Sequence, residues 1–249
     1  MRKFGLIGYP LGHSFSKKYF TEKFLKEHLD DCLYENYPLT DIEQIVDLIS
    51  DRNLAGLNIT IPYKTAVFKY VSRIDPEADA VGAVNVIKIK RTGVKTELTG
   101  FNSDITGIKD TIMPFMGTEI TGALVLGTGG SSKAVCHVLK KLNVRYTLIS
   151  RDRKPGCLTY SDISPALISN TPLIINTTPL GMFPDISTRP EIRYDLLTNR
   201  HILFDLVYNP EITAFLKTGK ERGCTVISGL KMLHSQAERS WEIWNNDDL

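Results

Sequence analysis

The sequence predicts an α/β fold in which most strands are parallel. Strand-like and helix-like segments alternate along all 249 residues, which is typical of sheets whose strands are joined by helical crossovers. At 123–130 an apolar run ends in clustered glycines, A-L-V-L-G-T-G-G, the usual opening of a nucleotide-binding half. No internal repeat or low-complexity linker is visible. A chain of this length therefore holds one large domain or two of ordinary size.

The hydrophobic pattern of the first half predicts four strands and three helices. Short or alternating apolar runs place the strands, and apolar residues three or four apart place the helices. The first helix carries Phe20, Phe24 and His28 at spacings of four. The expected strands are 4–8, 33–37, 56–61 and 83–90, and the expected helices are 16–28, 41–50 and 105–116.

The second half continues the alternation from the glycine cluster. After the apolar run at 120–128 we expect helices at 131–141 and 229–244 and strands at 146–150, 173–176, 202–206 and 225–227. The last helix has one apolar stripe, made by Leu230, Leu233, Ala237, Trp241 and Trp244. Between 150 and 173 the chain contains Pro155, Gly156 and Pro165, which predicts a loop-like connection and a shortened nucleotide-binding domain.

Composition excludes several classes of function. A formal net charge of +2, with no basic stripe, does not indicate a nucleic acid or an acidic membrane as partner. The four cysteines are widely scattered and lack metal-ligand spacing, so free thiols in a reducing cytoplasm are the simplest interpretation. No apolar run is long enough for a signal peptide or membrane span. We expect a cytoplasmic protein with a small-molecule substrate.

The glycine turn is the first candidate binding site. Gly127, Gly129 and Gly130 would let the backbone turn from strand to helix close to a pyrophosphate, whose charge a helix N-terminus favours. Ser132 replaces the third glycine of the common pattern, which leaves a structural tight turn as the alternative. The strand before the turn and the helix after it favour dinucleotide binding.

The end of the next strand bears on which dinucleotide binds. An acidic residue there would bind the ribose hydroxyls of NAD, whereas basic residues accommodate the extra phosphate of NADP. The sequence has Ser150 and Arg151 at the strand end, followed by Arg153 and Lys154. This pattern favours NADP, although Asp152 keeps NAD as a less favoured choice and a solvated charged loop is the structural alternative.

The segment 56–64, G-L-N-I-T-I-P-Y-K, combines an alternating strand with proline and lysine. Leu57, Ile59 and Ile61 share one face, so Asn58 and Thr60 share the other. Taken alone, the segment favours a surface edge strand stopped by its proline.

Eight motifs in order resemble shikimate dehydrogenases. They are G-Y-P-L-G-H-S-F-S at 8–16, G-L-N-I-T-I-P-Y-K at 56–64, G-A-V-N at 82–85, G-F-N-S-D at 100–104, G-T-G-G at 127–130, N-T-T-P-L-G-M at 176–182, D-L-V-Y-N-P at 205–210 and G-L-K-M-L-H-S-Q-A at 229–237. The resemblance implies reversible, NADPH-dependent reduction of 3-dehydroshikimate to shikimate in aromatic amino acid biosynthesis. It also implies an N-terminal α/β substrate domain (1–103 and 229–249), a Rossmann-type NAD(P)-binding domain (104–228) and an active site in the interdomain cleft.

The same resemblance assigns site residues by their place in the motifs. The substrate residues it implies are Ser14, Ser16, Asn58, Thr60, Lys64, Asn85, Asp104, Tyr208 and Gln236. The cofactor residues it implies are Gly127, Thr128, Gly129, Gly130, Ser131, Ser150, Arg151, Thr177, Thr178, Met182, Leu206 and Gly229. Lys17 stands where the family usually has proline, so the start of the first helix is open. For the polar residues, helix capping or a satisfied core group is the structural alternative.

Lys64 and Asp104 are the expected catalytic pair. Reduction of a carbonyl leaves an alkoxide, which a protonated lysine can neutralise. From spacing alone Asp104 is more easily an N-cap of the following helix, and the matched motifs reverse that preference. No metal is needed, because the nicotinamide carries the hydride.

Two alternative functions remain at this point. One is an enzyme that oxidises quinate as well as shikimate with NAD or NADP, and Asp152 supports it. The other is a non-catalytic metabolite sensor on the same fold, against which the retention of both Lys64 and Asp104 argues. The sequence leaves a monomer or a homodimer open.

Overall fold

A computed structural model describes residues 1–11, 15–116, 120–246 and 248–249. Within these residues, twelve strands form two six-stranded sheets. The strands are β1 (Arg2–Gly8), β2 (Cys32–Pro38), β3 (Leu54–Ile59), β4 (Arg73–Ile74), β5 (Val86–Thr92), β6 (Lys95–Phe101), β7 (Gly122–Leu126), β8 (Arg145–Ser150), β9 (Leu158–Thr159), β10 (Leu173–Asn176), β11 (Ile202–Asp205) and β12 (Thr225–Ile227). The α-helices are α1 (Phe15–Lys26), α2 (Ile45–Ile49), α3 (Pro76–Val81), α4 (Asp104–Ile112), α5 (Gly130–Lys141), α6 (Pro165–Ser169), α7 (Ala214–Glu221) and α8 (Leu230–Asn245).

The chain divides into two compact units. The first contains Met1–Ser103 and Ala237–Leu249, and the second contains Asp104–Gln236. Helix α8 therefore contributes residues to both units. In the described part of the chain, no helix is both long enough and apolar enough to span a membrane.

The sheet of the first unit is mixed. Its order is β2-β1-β3-β5-β6-β4, with β1 parallel to β2 and β3, and with β5 antiparallel to β3 and β6. One face packs on an aliphatic core that includes Ile7, Leu57 and Ile59. The other face packs on an aromatic core that includes Phe20 and Trp244.

Because alternate residues of a strand face opposite sides, β3 contributes to both layers. Leu57 and Ile59 enter the aliphatic core, whereas Gly56 and Asn58 face the aromatic side. A Cβ at Gly56 would lie 2.3 Å from the indole nitrogen of Trp244, so only glycine fits under this ring. The edge-strand interpretation is wrong, because β3 is paired on both sides, with β1 and with β5.

The sheet of the second unit is entirely parallel in its described pairings. Its order, β9-β8-β7-β10-β11-β12, is the 3-2-1-4-5-6 order of a Rossmann sheet when β7 is counted first. Strand order reverses between β7 and β10, which is the switch point where ligands bind in open α/β sheets. The predicted Rossmann-type architecture is confirmed.

Local signals explain several element ends. Asp75 caps α3 by accepting hydrogen bonds from the backbone of Glu77 and Ala78, and Gly82 ends that helix in the left-handed region with φ of 65°. Ser164 and Thr213 cap α6 and α7 in the same way, through their hydroxyl groups. These caps set where the three helices begin.

Several predicted bounds are wrong. The first helix ends at Lys26 and His28 has a φ of 54°, so His28 lies off the helical stripe. Strand β3 ends at Ile59, and Ile61 is 66% exposed instead of sharing the buried face. The helix expected at 105–116 begins at Asp104 and ends at Ile112, followed by a 3-10 turn.

Other differences concern missed or divided elements. The helix expected at 41–50 is a capped 3-10 turn followed by α2, and the strand expected at 83–90 is β5, which begins at Val86. Strands β4, β6 and β9 and helices α3, α6 and α7 have no counterpart in the prediction. The loop-like connection predicted between 150 and 173 is confirmed, since it holds only two strand residues, a 3-10 turn and the five-residue α6.

Candidate active site

A buried hydrogen-bonded chain of side chains crosses the aromatic side of the first unit. The Tyr34 hydroxyl donates to Asn58 Oδ1 at 2.8 Å, and Asn58 Nδ2 donates to Ser240 Oγ at 2.9 Å. Ser240 Oγ lies 3.2 Å from Ser103 Oγ. Asn58 is only 6% exposed. As expected for a buried amide, both its oxygen and its nitrogen are hydrogen-bonded by protein groups.

Asn85 joins the same chain through Ser103. Asn85 Nδ2 donates to Ser103 Oγ at 3.1 Å, and the Ser103 backbone N–H donates to Asn85 Oδ1 at 2.7 Å. A backbone N–H can only donate, so this contact fixes which end of the Asn85 amide is the oxygen. The structure thus brings the predicted substrate residues Asn58 and Asn85 into one network.

Ser16 lies near the other end of this chain. Its hydroxyl hydrogen-bonds the Tyr34 hydroxyl and partly offsets the strong rise in the Tyr34 pKa that burial causes. Tyr34 therefore stays a neutral donor. Lys17, at the family's proline position, pairs with Glu35 at 2.8 Å, and α1 begins before it, at Phe15. Ser14 lies outside the described residues.

The turn after β3 carries Thr60 and Lys64. The Thr60 N–H donates to the Ile7 carbonyl at 2.9 Å, and the Lys64 carbonyl accepts from the Val84 N–H at 2.8 Å. Tyr63 is buried between them and its hydroxyl donates to the Leu39 carbonyl at 2.7 Å. This turn is therefore anchored at both ends, and it holds Lys64 at a fixed backbone position with a half-buried side chain.

The second unit forms a glycine turn at its switch point. Gly127 has a φ of 111°, and a Cβ there would lie 2.7 Å from Thr177 Oγ1. Gly129 occupies the N-cap position of the twelve-residue α5, and Gly130 and Ser131 are its first residues. Ser132, at the position of the missing third glycine, is buried and donates to the Gly129 carbonyl at 2.7 Å.

Positively charged groups lie beside this turn. The Lys154 ammonium donates to Thr128 Oγ1 at 3.0 Å. Ser150 is buried at the end of β8, while the exposed Arg151 pairs with Asp152 through Nη2 at 3.2 Å. The carboxylate of Asp152 is thus already engaged by the neighbouring guanidinium.

The loops after β10 and β11 are tied together by Asn176 and Asp205. Asn176 Oδ1 accepts from the Thr178 N–H at 3.0 Å, and Asn176 Nδ2 donates to Asp205 Oδ1 at 3.0 Å. Asp205 also accepts from the Val207 N–H at 3.0 Å and from Thr213 Oγ1 at 2.6 Å. Burial raises the pKa of this carboxyl to about 6, and these hydrogen bonds oppose the rise.

The remaining predicted cofactor residues lie on these loops. Thr177 Oγ1 donates to the Leu126 carbonyl at 2.7 Å, which places Thr177 against the glycine turn. A Cβ at Gly229 would lie 2.4 Å from the Leu206 carbonyl oxygen, so these two residues are in contact. Met182 is 43% exposed and follows Gly181, whose φ is 87°.

Asp104 and Gln236 lie in the second unit, Asp104 on α4 and Gln236 on the part of α8 that belongs to this unit. Gly107 of α4 approaches α8 so closely that a Cβ would lie 2.6 Å from the Met232 carbonyl oxygen and 3.2 Å from Gln236 Cβ. Asp104 is 4% exposed and is the first residue of α4, so Ser103, and not Asp104, precedes the helix. Tyr208 follows β11, where burial raises its pKa.

Sequence reasoning did not select Tyr34, Ser103, Ser240, Asn176 or Asp205. Asn176 and Asp205 are the first residues of two of the motifs, and this position could have marked them as site residues. Tyr34 and Ser240 lie outside every motif, and only the fold brings them to Asn58. In the described ranges, no group of three or more histidine, cysteine or acidic side chains could hold a metal ion.

A Rossmann-order sheet with a glycine turn at its switch point defines a dinucleotide-binding protein, and the additional α/β unit is typical of a dehydrogenase of this class. Residues 6–87 match the model of the shikimate dehydrogenase substrate binding domain. A shikimate dehydrogenase (NADP+) of Methanococcus aeolicus is 35% identical over 96% of this chain and 90% of its own length. One of Clostridium beijerinckii is 33% identical over 100% of this chain and 94% of its own.

Solved structures agree with these relatives. A Thermus thermophilus shikimate 5-dehydrogenase in complex with NADP(H) and shikimate has a TM-score of 0.85 and 27% identity, covering 98% of this chain and 94% of that one. The chain belongs to the shikimate dehydrogenase family.

Proposed function

We propose that this protein is a shikimate dehydrogenase that reversibly reduces 3-dehydroshikimate to shikimate with NADPH. The observation that carries the proposal is the coexistence of a buried amide and hydroxyl network in the first unit with a glycine turn at the switch point of the second. Relatives named shikimate dehydrogenase (NADP+) that align over nearly the whole chain support it. The reaction belongs to the route to chorismate and the aromatic amino acids.

The first unit is proposed to bind the substrate. The matched substrate-binding-domain model lies within it and includes Ser16, Asn58, Thr60, Lys64 and Asn85. Amides and hydroxyls can each donate and accept, as a ring with several hydroxyl groups requires. Ser14, Asp104, Tyr208 and Gln236 complete the proposed set.

Lys64 and Asp104 are proposed as the catalytic residues. Lys64 would supply the proton that neutralises the oxygen formed at C3, a role that a positioned lysine side chain can fill. Asp104 offers a carboxylate that is nearly inaccessible to water, and such a group must be compensated by hydrogen-bond donors or a positive charge. We propose that it hydrogen-bonds the reacting hydroxyl and orients the proton donor.

The second unit fits the dinucleotide. The open space beside Gly129, where a Cβ would meet no atom within 4 Å, suits a pyrophosphate together with the start of α5. The proposed contacts are Gly127, Thr128, Gly129, Gly130, Ser131, Ser150, Arg151, Thr177, Thr178, Met182, Leu206 and Gly229. When bound, NADPH supplies the hydride. Lys154, which contacts Thr128, adds positive charge for the NADP phosphate.

The assay that tests the function follows nicotinamide absorbance during oxidation of shikimate and of quinate, with NADP+ and with NAD+. We expect the highest kcat/KM with shikimate and NADP+. Absence of turnover with either cofactor would refute the enzyme assignment, and equal use of quinate would support the less favoured quinate/shikimate alternative. We further propose a cytoplasmic location, which fits four free cysteine thiols, and a monomeric or homodimeric state.

A further inference from the structure

Asn58 is held by two residues that neither the motifs nor the proposed substrate contacts include. The Tyr34 hydroxyl donates to its oxygen, and the Ser240 hydroxyl accepts from its nitrogen. All three side chains are buried, so water does not compete for these positions. An amide oxygen has two lone pairs and an amide nitrogen two hydrogens, so each end of Asn58 keeps one group for a ligand.

We propose that Tyr34 and Ser240 are positioning residues that fix the orientation of the Asn58 amide, and through it the recognition of shikimate. The inference rests on the proposed function, because it takes Asn58 as a substrate contact. Without these partners the two ends of the amide are interchangeable in shape, and a rotation of half a turn would exchange donor and acceptor.

The donor and acceptor order of the hydrogen bonds around Asn58 supports this role. Ser16 hydrogen-bonds the Tyr34 hydroxyl, which directs the Tyr34 proton toward Asn58. At the other end, the Ser103 N–H fixes the amide of Asn85, and Ser103 is the neighbour of Ser240. One series of side-chain hydrogen bonds therefore sets the orientation of the donor and acceptor groups of three proposed substrate residues, Ser16, Asn58 and Asn85.

The position of Ser240 allows its hydrogen bond to be removed without changing the packing around it. Ser240 lies on α8 and is fully buried against β3, while the nearby Trp244 on the same helix donates to the Ile87 carbonyl at 3.1 Å. An alanine there would preserve the helix and its packing but would leave the Asn58 N–H without an acceptor. Tyr34 stacks on Phe20 with ring centroids 4.6 Å apart, so phenylalanine would keep the packing and lose only the hydroxyl.

The test compares Tyr34→Phe and Ser240→Ala in the full chain, alone and combined with Asn58→Ala. Each single variant should raise the KM for shikimate about 5- to 10-fold, the effect of one neutral hydrogen bond, and leave the KM for NADP+ and kcat within about twofold. In the Asn58→Ala background neither change should raise the KM further, since the group they orient is gone. Tyr37→Phe and Ser72→Ala are matched controls that should behave like the wild type.

Three results would overturn the inference. They are an unchanged shikimate KM in both single variants, an equal increase in the Asn58→Ala background, or a wild-type KM for Asn58→Ala itself. Absence of shikimate turnover in the wild-type protein would instead refute the proposed function. If Ser240→Ala does not fold, Tyr34→Phe decides the question, because its ring packing is retained.

Discussion

Lys64 is the residue whose chemistry is most directly testable. Its backbone is fixed by the Val84 N–H, so removal of the side chain should not disturb the turn that follows β3. We expect Lys64→Ala to lower kcat by about 100- to 10,000-fold, the usual contribution of a positioned proton donor. Steady-state shikimate oxidation measures this change, with Lys69→Ala, which alters an exposed side chain of a 3-10 turn, as the control.

Asp104 provides the matching test at the second proposed catalytic residue. Asp104→Asn should lower kcat strongly while the urea midpoint stays near that of Asp110→Asn, an exposed control on the same helix α4. Unfolding of Asp104→Asn would show a structural role. Normal turnover of either Lys64→Ala or Asp104→Asn would contradict its catalytic assignment.

The buried carboxyl group of Asp205 should make the free energy of unfolding depend on pH. Burial raises the pKa of Asp205 to about 6 from its ordinary value of 3.8, so between these pH values the folded state binds more protons than the unfolded state. The contribution of Asp205 to the free energy of unfolding is therefore fully present below about pH 4 and is lost as the pH rises through about 6. The lost stability is on the order of 3 kcal/mol, from about 1.4 kcal/mol per pKa unit.

Asp205→Asn removes this titration and keeps groups that can bond Asn176, Val207 and Thr213. The difference in unfolding free energy between wild type and variant should therefore change across pH 4 to 7 in favour of the variant. Urea titrations at several pH values measure it. A difference that is independent of pH would show that the carboxyl titrates alike in the folded and unfolded chain.

Strand β3 depends on a close approach of helix α8. A methyl group at Gly56 would lie 2.3 Å from the Trp244 ring nitrogen, and this ring is buried in the aromatic core. We expect Gly56→Ala to displace the ring and to lower the free energy of unfolding by about 1–3 kcal/mol. Gly122→Ala in β7, where the nearest atom is 3.7 Å away, should change it by less than about 0.5 kcal/mol. Equal effects in urea titrations would contradict the steric argument.

Elements with strong local signals were predictable from the sequence. Strands β10 and β12 match their expected ranges because β-branched residues dominate both, namely the two isoleucines of L-I-I-N and all three residues of T-V-I. Strand β6, K-T-E-L-T-G-F, was missed because polar and apolar residues do not alternate in it, and its pairing with β5 determines it. Pairing between two strands cannot be predicted from the residue pattern of one of them alone.

The same contrast between local signals and long-range contacts applies to the candidate site residues in each unit. Residues within motifs, such as Asn58, Gly127 and Thr177, were predictable because backbone geometry and polar chemistry restrict them locally. Tyr34 and Ser240 were not, because they lie 24 and 182 positions from Asn58 and meet it only in the folded unit. The sequence thus indicated candidate ligand contacts, whereas the fold was needed to find the groups that hold Asn58 in place.

Binding of the cofactor should be visible in the stability of the whole molecule. A ligand that binds only the folded chain at 100 times its dissociation constant adds about 2.7 kcal/mol. For a chain of 249 residues, about 1 kcal/mol corresponds to roughly 2–4 °C in Tm, so NADP+ should raise Tm by about 5–10 °C. The same concentration of NAD+ should give a smaller shift, because Arg151 and Lys154 would lack the extra phosphate. Differential scanning fluorimetry measures both shifts, and Lys154→Ala should reduce the difference between them. Equal shifts with NADP+ and NAD+ in the wild-type protein would show that the charge beside Thr128 does not select the cofactor.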